Sequence, residues 1–187
     1  MDEKEAALVD MVLAGDAGAF EPLVRPYRND LLRLALRMTG NREDADEASQ
    51  EALIRAFRYL SRFDKTRSFK NWLLGILVNE ARTIRRGAPR AVSLEDAAEP
   101  SLPADQERRH EQGVFRDRLR ACLAGLSRGQ REVFILRDLE ERNIRETAAI
   151  LGVSELSVRV HLSRARKRIK ALMVRAEATA PVKEATP

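Results

Sequence analysis

Between Asn143 and Lys170 the chain reads NIRETAAILGVSELSVRVHLSRARKRIK, and this window restricts the fold more than any other. Its apolar residues do not alternate. Val158, Leu162, Ala165, Ile169 and Leu172 recur at steps of four, three, four and three, the period of one face of an α-helix. Asn143, with Glu146 three residues later, is placed to cap a short helix ending at Leu151. Gly152 permits the positive backbone angle of a tight turn, and Ser154 is placed to cap a second helix. Ala148, Gly152 and Val158 are the small, turn and branched residues that a helix-turn-helix needs at its crossing, corner and core. The faces away from the apolar stripe carry Arg159, Arg164, Arg166, Lys167, Arg168 and Lys170. Such a helix suits a major groove, with Glu155, Ser157, Arg159, Val160 and Ser163 near base edges. Arg164, Lys167 and the basic residues after them then meet phosphates. The plainer alternative is a basic surface helix packed on a neighbour, which leaves the agreement of cap, turn and stripe unexplained.

The rest of the chain repeats the helical period. From Val9 to Arg86 apolar residues recur mostly at three and four, as in Leu31, Leu32, Ala35 and Leu36, then Leu53, Ile54, Phe57 and Leu60. Gly40-Asn41 is a helix stop, and the polar run Asp64 to Ser68 separates a second helix from a third that opens on Phe69, Trp72, Leu73 and Ile76. Residues 87–105, GAPRAVSLEDAAEPSLPAD, read as a linker. Helical pattern resumes at Phe115 and continues to about Arg175, leaving AEATAPVKEATP as a disordered tail. The expected fold is all-α: two small helical domains, residues 1–87 and 111–175, joined by a flexible linker over 88–110, with a tail over 176–187.

Charge is divided in the same way. Residues 1–57 hold twelve acids against seven Lys and Arg, whereas residues 58–90 hold two acids against nine. The first stretch suits a protein surface and the second suits phosphates. A net charge of +5 and a pI near 9.8 fit a polyanionic partner. The single Cys122 allows no intramolecular disulfide, so a reduced, cytoplasmic setting is expected. The acidic start MDEKEAAL is unlike a signal peptide, and no apolar run nears the ~20 residues that span a bilayer. Direct membrane insertion is therefore not expected.

Three stretches together resemble the extracytoplasmic-function (ECF) sigma factors of bacterial RNA polymerase, over about Phe20 to Ile169. DADEASQEALIRAF at 44–57 is similar to the acidic, Gln-Glu-containing helix with which such factors grip the polymerase clamp helices. The resemblance makes Asp44, Asp46, Glu47, Gln50, Glu51 and Arg55 the core-polymerase-binding residues. SFKNWLLGILVNEARTIRR at 68–86 is similar to the family's Phe-x-x-Trp-Leu segment, which opens the −10 element and captures an unstacked base. Carried over, the −10 residues are Lys65, Thr66, Arg67 and Ser68 in the loop and Asn79, Arg82, Arg85 and Arg86 on the helix. Phe69 and Trp72 sit on one helix face, where core packing is a stronger reading than base stacking. Residues 126–169 are similar to the domain that reads the −35 element, although Ser154, Leu156 and His161 replace the Pro, Gly and Arg frequent in relatives. Glu47 and Ser49 replace a more usual Asp and apolar residue.

The resemblance implies three partners: core RNA polymerase, promoter DNA and an anti-sigma protein, commonly membrane-anchored. It runs the linker near the polymerase active site and RNA exit path, where Glu95, Asp96, Glu99 and Asp105 either mimic nucleic acid or only solvate a tether. No enzyme, metal or cofactor is expected. His110 and His161 lie far apart without a nucleophile, the acids at 43–51 splay round a helix, and the glycines are scattered. A stand-alone regulator would explain the helix-turn-helix alone, and a nucleic-acid enzyme would need an acid cluster beside the basic stretches.

Overall fold

The computed structural model describes residues 1–87, 113 and 118–179. Among these, every regular element is helical. They fall into two compact units: one holds residues up to 87 together with 145–154, the other holds 118–144 with 155–179. The whole expected linker over 88–110, with Glu95, Asp96, Glu99, Asp105 and His110, then Phe115 and the end of the tail lie outside the described residues.

In the first unit α1 (Glu3–Leu13) starts on a reciprocal cap: Glu5 N–H donates to Asp2 Oδ1 at 2.7 Å, and Glu5 answers the Asp2 N–H. After α2 (Phe20–Val24), α3 (Arg28–Thr39) ends on Gly40 at φ 96, with Gly40 N–H on the Leu36 carbonyl. That left-handed residue is the stop the sequence announced. Asn41 then caps α4 (Arg42–Arg58), and α5 (Phe69–Gly87) follows the polar loop. The three long helices pack on one another with α4 against both partners.

The core face of α4 differs from the expected one. Ala45, Ala48, Ala52 and Ala56, at steps of three, four and four, are the residues fully buried, whereas Ile54 and Phe57 face water. Small side chains let α3 and α5 approach closely, and their own Leu31, Leu34, Leu73, Leu74, Leu77 and Val78 fill the space. Phe69 is completely buried, with Phe63 and Trp72 at centroid distances of 5.5 and 5.7 Å and Tyr27 at 6.1 Å. Packing accounts for its position.

In the second unit the described part of α6 is residues 118–124. A short α7 (Arg128–Phe134) widens into a π turn at Ile135–Leu139 that ends on Glu141 at φ 54. Leu126, Phe134 and Ala165 form a small core with Leu119, Leu123, Leu139 and Ile169 around it. Arg166 grips Asp138 with two hydrogen bonds of 2.9 and 2.5 Å, fixing the π turn to the last helix. α8 (Ile144–Leu151), which groups with the first unit from residue 145, is followed in the chain through Gly152 at φ 67 by α9 (Glu155–Thr179) of the second. α9 continues four residues beyond the Arg175 at which the sequence pattern fades.

Candidate functional site

Along α4 the alanine stripe turns the opposite side of the helix to water. Asp46, Glu47, Gln50, Ile54 and Phe57 are exposed there, the two apolar ones at 42% and 45%. Asp46 is paired with Arg42 at 2.8 Å, and Phe57 is braced edge-on against Phe20 at 5.1 Å. Asp44 is only 7% exposed: its N–H donates to Asn41 Oδ1 and its carboxylate accepts from Asn41 Nδ2, both at 2.8 Å. It serves the start of the helix. Glu51 is half-buried and shares Arg55 with Glu80 of α5, each at 3.1 Å. Burial pushes the Glu80 carboxyl above its ordinary range, Arg55 pulls it back, and Glu51 adds to the rise. Arg55 is held in its charged form first by the hydrogen bond to Glu51 and then by Glu80. Ile54 and Phe57 belong to this face although they are not among the residues the resemblance marks. Their spacing of seven from Glu47 and Gln50 was the available signal.

The loop before α5 is exposed throughout Asp64 to Ser68. Asp64 accepts from Thr66 Oγ1 at 2.7 Å and Thr66 N–H at 3.0 Å and pairs with Arg67 at 3.3 Å. These contacts, the Thr66 hydroxyl first, hold its carboxyl below the usual range. Ser68 Oγ accepts from Asn71 N–H at 3.3 Å, the first turn of α5, and Lys65 is paired with Asp10 of α1. The loop is therefore shaped by its own hydrogen bonds above a wall of aromatic rings, with Trp72 half-buried 5.0 Å from Phe63.

The four −10 candidates on α5 divide. Asn79 is exposed and accepts from Arg82 Nη1 at 2.9 Å, and Arg86, a further turn along, is exposed too. Arg85 is exposed as well but lies off this line, and its Nη1 donates to the Met38 carbonyl at 2.8 Å.

α9 has two faces. Val158, Leu162 and Ala165 are buried and Ile169 and Leu172 are half-buried, the expected stripe. Leu156, Val160, Ser163 and Lys167 lie opposite, at steps of four, three and four, and all are exposed. Arg159 and Arg164 flank that line, with Arg159 tied to Glu155 at 3.1 Å; Ser157 is half-buried at one side. Leu156, which is not among the expected base-edge residues, is the most exposed large apolar residue among the described residues, at 69%.

Residues 23–90 match Sigma-70 region 2, and residues 116–169 match Sigma-70, region 4. The ECF RNA polymerase sigma factor SigM of Mycobacterium tuberculosis is 32% identical over 174 residues, which span 92% of this chain and 86% of that protein. RNA polymerase sigma-H factor of Pseudomonas aeruginosa is 30% identical, with 89% and 92% of the two chains covered. Among solved structures, CnrH in complex with the cytosolic domain of CnrY aligns at a TM-score of 0.68 and 26% identity, covering 95% of this chain and 100% of that one. RpoE of Bartonella quintana shares the fold at a TM-score of 0.64 and 22% identity, over 83% and 96% of the chains. Both halves are matched in order, and SigM is 32% identical over most of both chains: the chain belongs to the ECF RNA polymerase sigma factors.

Proposed function

We propose that this sigma factor divides its work between its two helical parts. Residues 1–87 bind core RNA polymerase and open the −10 element, residues 88–110 tether, and residues 111–175 read the −35 element. The exposed line of α4, with Asp46, Glu47, Gln50, Ile54 and Phe57 and the Arg55–Glu51 pair at its edge, is the polymerase face. The loop Lys65 to Ser68 with Asn79, Arg82 and Arg86 receives the unpaired strand, and the exposed line of α9 enters the major groove. The chain supplies binding and unstacking in the cytoplasm, and bond-making stays with the polymerase.

The observation that carries this reading is the α4 face. It leaves acidic, amide and large apolar side chains in water along three turns, while its fully buried apolar residues are all alanines. A helix built that way is organised for a partner. An anti-sigma protein that covers these faces completes the proposal, supported by CnrH, which is seen in complex with the cytosolic domain of CnrY.

Run-off transcription with purified core polymerase on a genomic fragment library tests the reading. Discrete start sites sharing one −10 and one −35 sequence are expected. Transcription no different from core alone would overturn it. Alanine at Lys65, Thr66 and Arg67 should leave duplex binding by the holoenzyme intact and reduce permanganate reactivity of the −10 thymines.

A further inference from the structure

The exposed line of α9 begins with two apolar side chains in a setting that is otherwise polar and basic. Leu156 is 69% and Val160 40% exposed, and Ser163 and Lys167 continue the same line with Arg159 and Arg164 on either side. Neither apolar residue has a core role, because the buried stripe of α9 runs along the opposite side through Val158, Leu162 and Ala165. We propose that Leu156 and Val160 are specificity residues that read thymine methyl groups in the major groove of the −35 element. This rests on the assignment of α9 as the groove-reading helix and adds to it which base edge the helix selects.

The chemistry fits that occupant. A protein pocket would call for a wide contiguous apolar patch, whereas the short apolar run of Leu156 and Val160, with Val153 just before α9, gives way along the same line to Ser163 and Lys167 and is flanked by Arg159 and Arg164. In the major groove the C5-methyl of thymine is the one apolar group among donors and acceptors. A single aliphatic side chain covers it while neighbouring Arg and Ser residues reach adjacent acceptors and phosphates. Leu156 and Val160 are one turn apart, about 6 Å along the helix axis, against about 3.4 Å per base step along a strand. The two methyls therefore lie one or two steps apart.

The test uses the full chain with core polymerase on the promoter recovered from a randomised −35 library. Each thymidine of the −35 region is replaced in turn by deoxyuridine, which removes only the methyl. At one or two positions the wild-type holoenzyme should lose about fourfold in affinity, the worth of one buried methyl-sized group. Leu156→Ala should abolish the loss at one of them and Val160→Ala at the other; both side chains are exposed, so the fold is kept, and circular dichroism verifies it. No loss at any thymidine, or a loss that persists in both variants, overturns the methyl readout. Should either substitution weaken the complex with core polymerase while leaving every DNA step unchanged, the apolar pair belongs to a protein partner and the proposal also fails. Arg159→Ala separates the two levels. If it changes sequence preference while no methyl effect exists, the groove assignment stands and only the apolar readout is lost. If no α9 substitution changes preference, both fall.

Discussion

Arg85, in the last turn of α5, donates from Nη1 to the main-chain carbonyl of Met38 across 2.8 Å. Met38 is in the final turn of α3, where carbonyls have no partner within their own helix. The guanidinium therefore fastens two helices by completing the end of one, and its position off the Asn79–Arg82–Arg86 line follows. Arg85→Ala should cost about 1 kcal/mol of stability, read as a lower urea midpoint. Arg86→Ala should leave the midpoint unchanged and lower holoenzyme affinity for promoters. An unchanged midpoint for Arg85→Ala together with reduced promoter affinity would return Arg85 to the DNA.

Glu80 gives the first unit a pH dependence of defined sign. Its folded carboxyl is raised above the ordinary 4.5, chiefly by burial, so the native state binds its proton more readily than the unfolded chain does. The contribution of this group is most favourable below 4.5 and is lost as pH rises through the raised folded value. Glu80→Gln should thus unfold at higher urea than wild type at neutral pH, with the gap closing as pH falls toward 4.5. A gap that widens on acidification would mean that the pair with Arg55 outweighs burial.

The polymerase face and the core of α4 should respond to substitution in opposite ways. Ile54→Ala, or charge reversal at Glu47, should leave stability near wild type. Each should weaken the complex with core polymerase by about 1–3 kcal/mol if its side chain reaches the centre of the interface. Ala52→Leu should destabilise the unit by about 1–3 kcal/mol, because its site has no room between the neighbouring helices. Titration against core polymerase and urea unfolding, run on the same proteins, separate the two. Wild-type affinity after Ile54→Ala and Glu47→Lys together would move the interface elsewhere.

α4 also marks where the sequence stops being legible. Gly40, Gly152 and the stripe from Val158 to Leu172 each carry their own signal, a positive φ or an unbroken period, and the structure has them as read. In α4 two faces compete: Leu53, Ile54 and Phe57 form one periodic set and Ala45, Ala48, Ala52 and Ala56 another. Hydrophobicity favours the larger residues. The structure puts the alanines inside, because α3 and α5 bring enough leucine to fill the space. That decision depends on the volume of neighbours, which one segment does not contain. The helix-end contacts of Asp44 and Arg85 carry no sequence signal for a related reason. Each residue is charged and sits in a charged stretch, yet Asp44 is bound to Asn41 at the start of α4 and Arg85 gives one N–H to the Met38 carbonyl at the end of α3.

On α9 distance along the helix should separate residues that specify from residues that hold. Arg159 is in the second turn, fixed across one turn to Glu155, whereas Lys167 is eight residues later on the exposed line, about 12 Å farther along the axis. A helix that enters the groove by its first turns carries its later ones out toward the backbone. Arg159→Ala should cost about 1–3 kcal/mol at the preferred −35 sequence and flatten preference at one or two positions. Lys167→Ala should weaken binding to all promoters alike and reduce the salt slope by about 1, because one fewer counterion is released. Core-polymerase binding should stay at the wild-type level in both variants, since that interface is assigned to α4. Holoenzyme affinities on a randomised −35 library at several salt concentrations measure both effects together. A uniform loss from Arg159→Ala, with its salt slope lowered and no position relaxed, would make Arg159 a phosphate contact and turn the reading edge of the helix to another face.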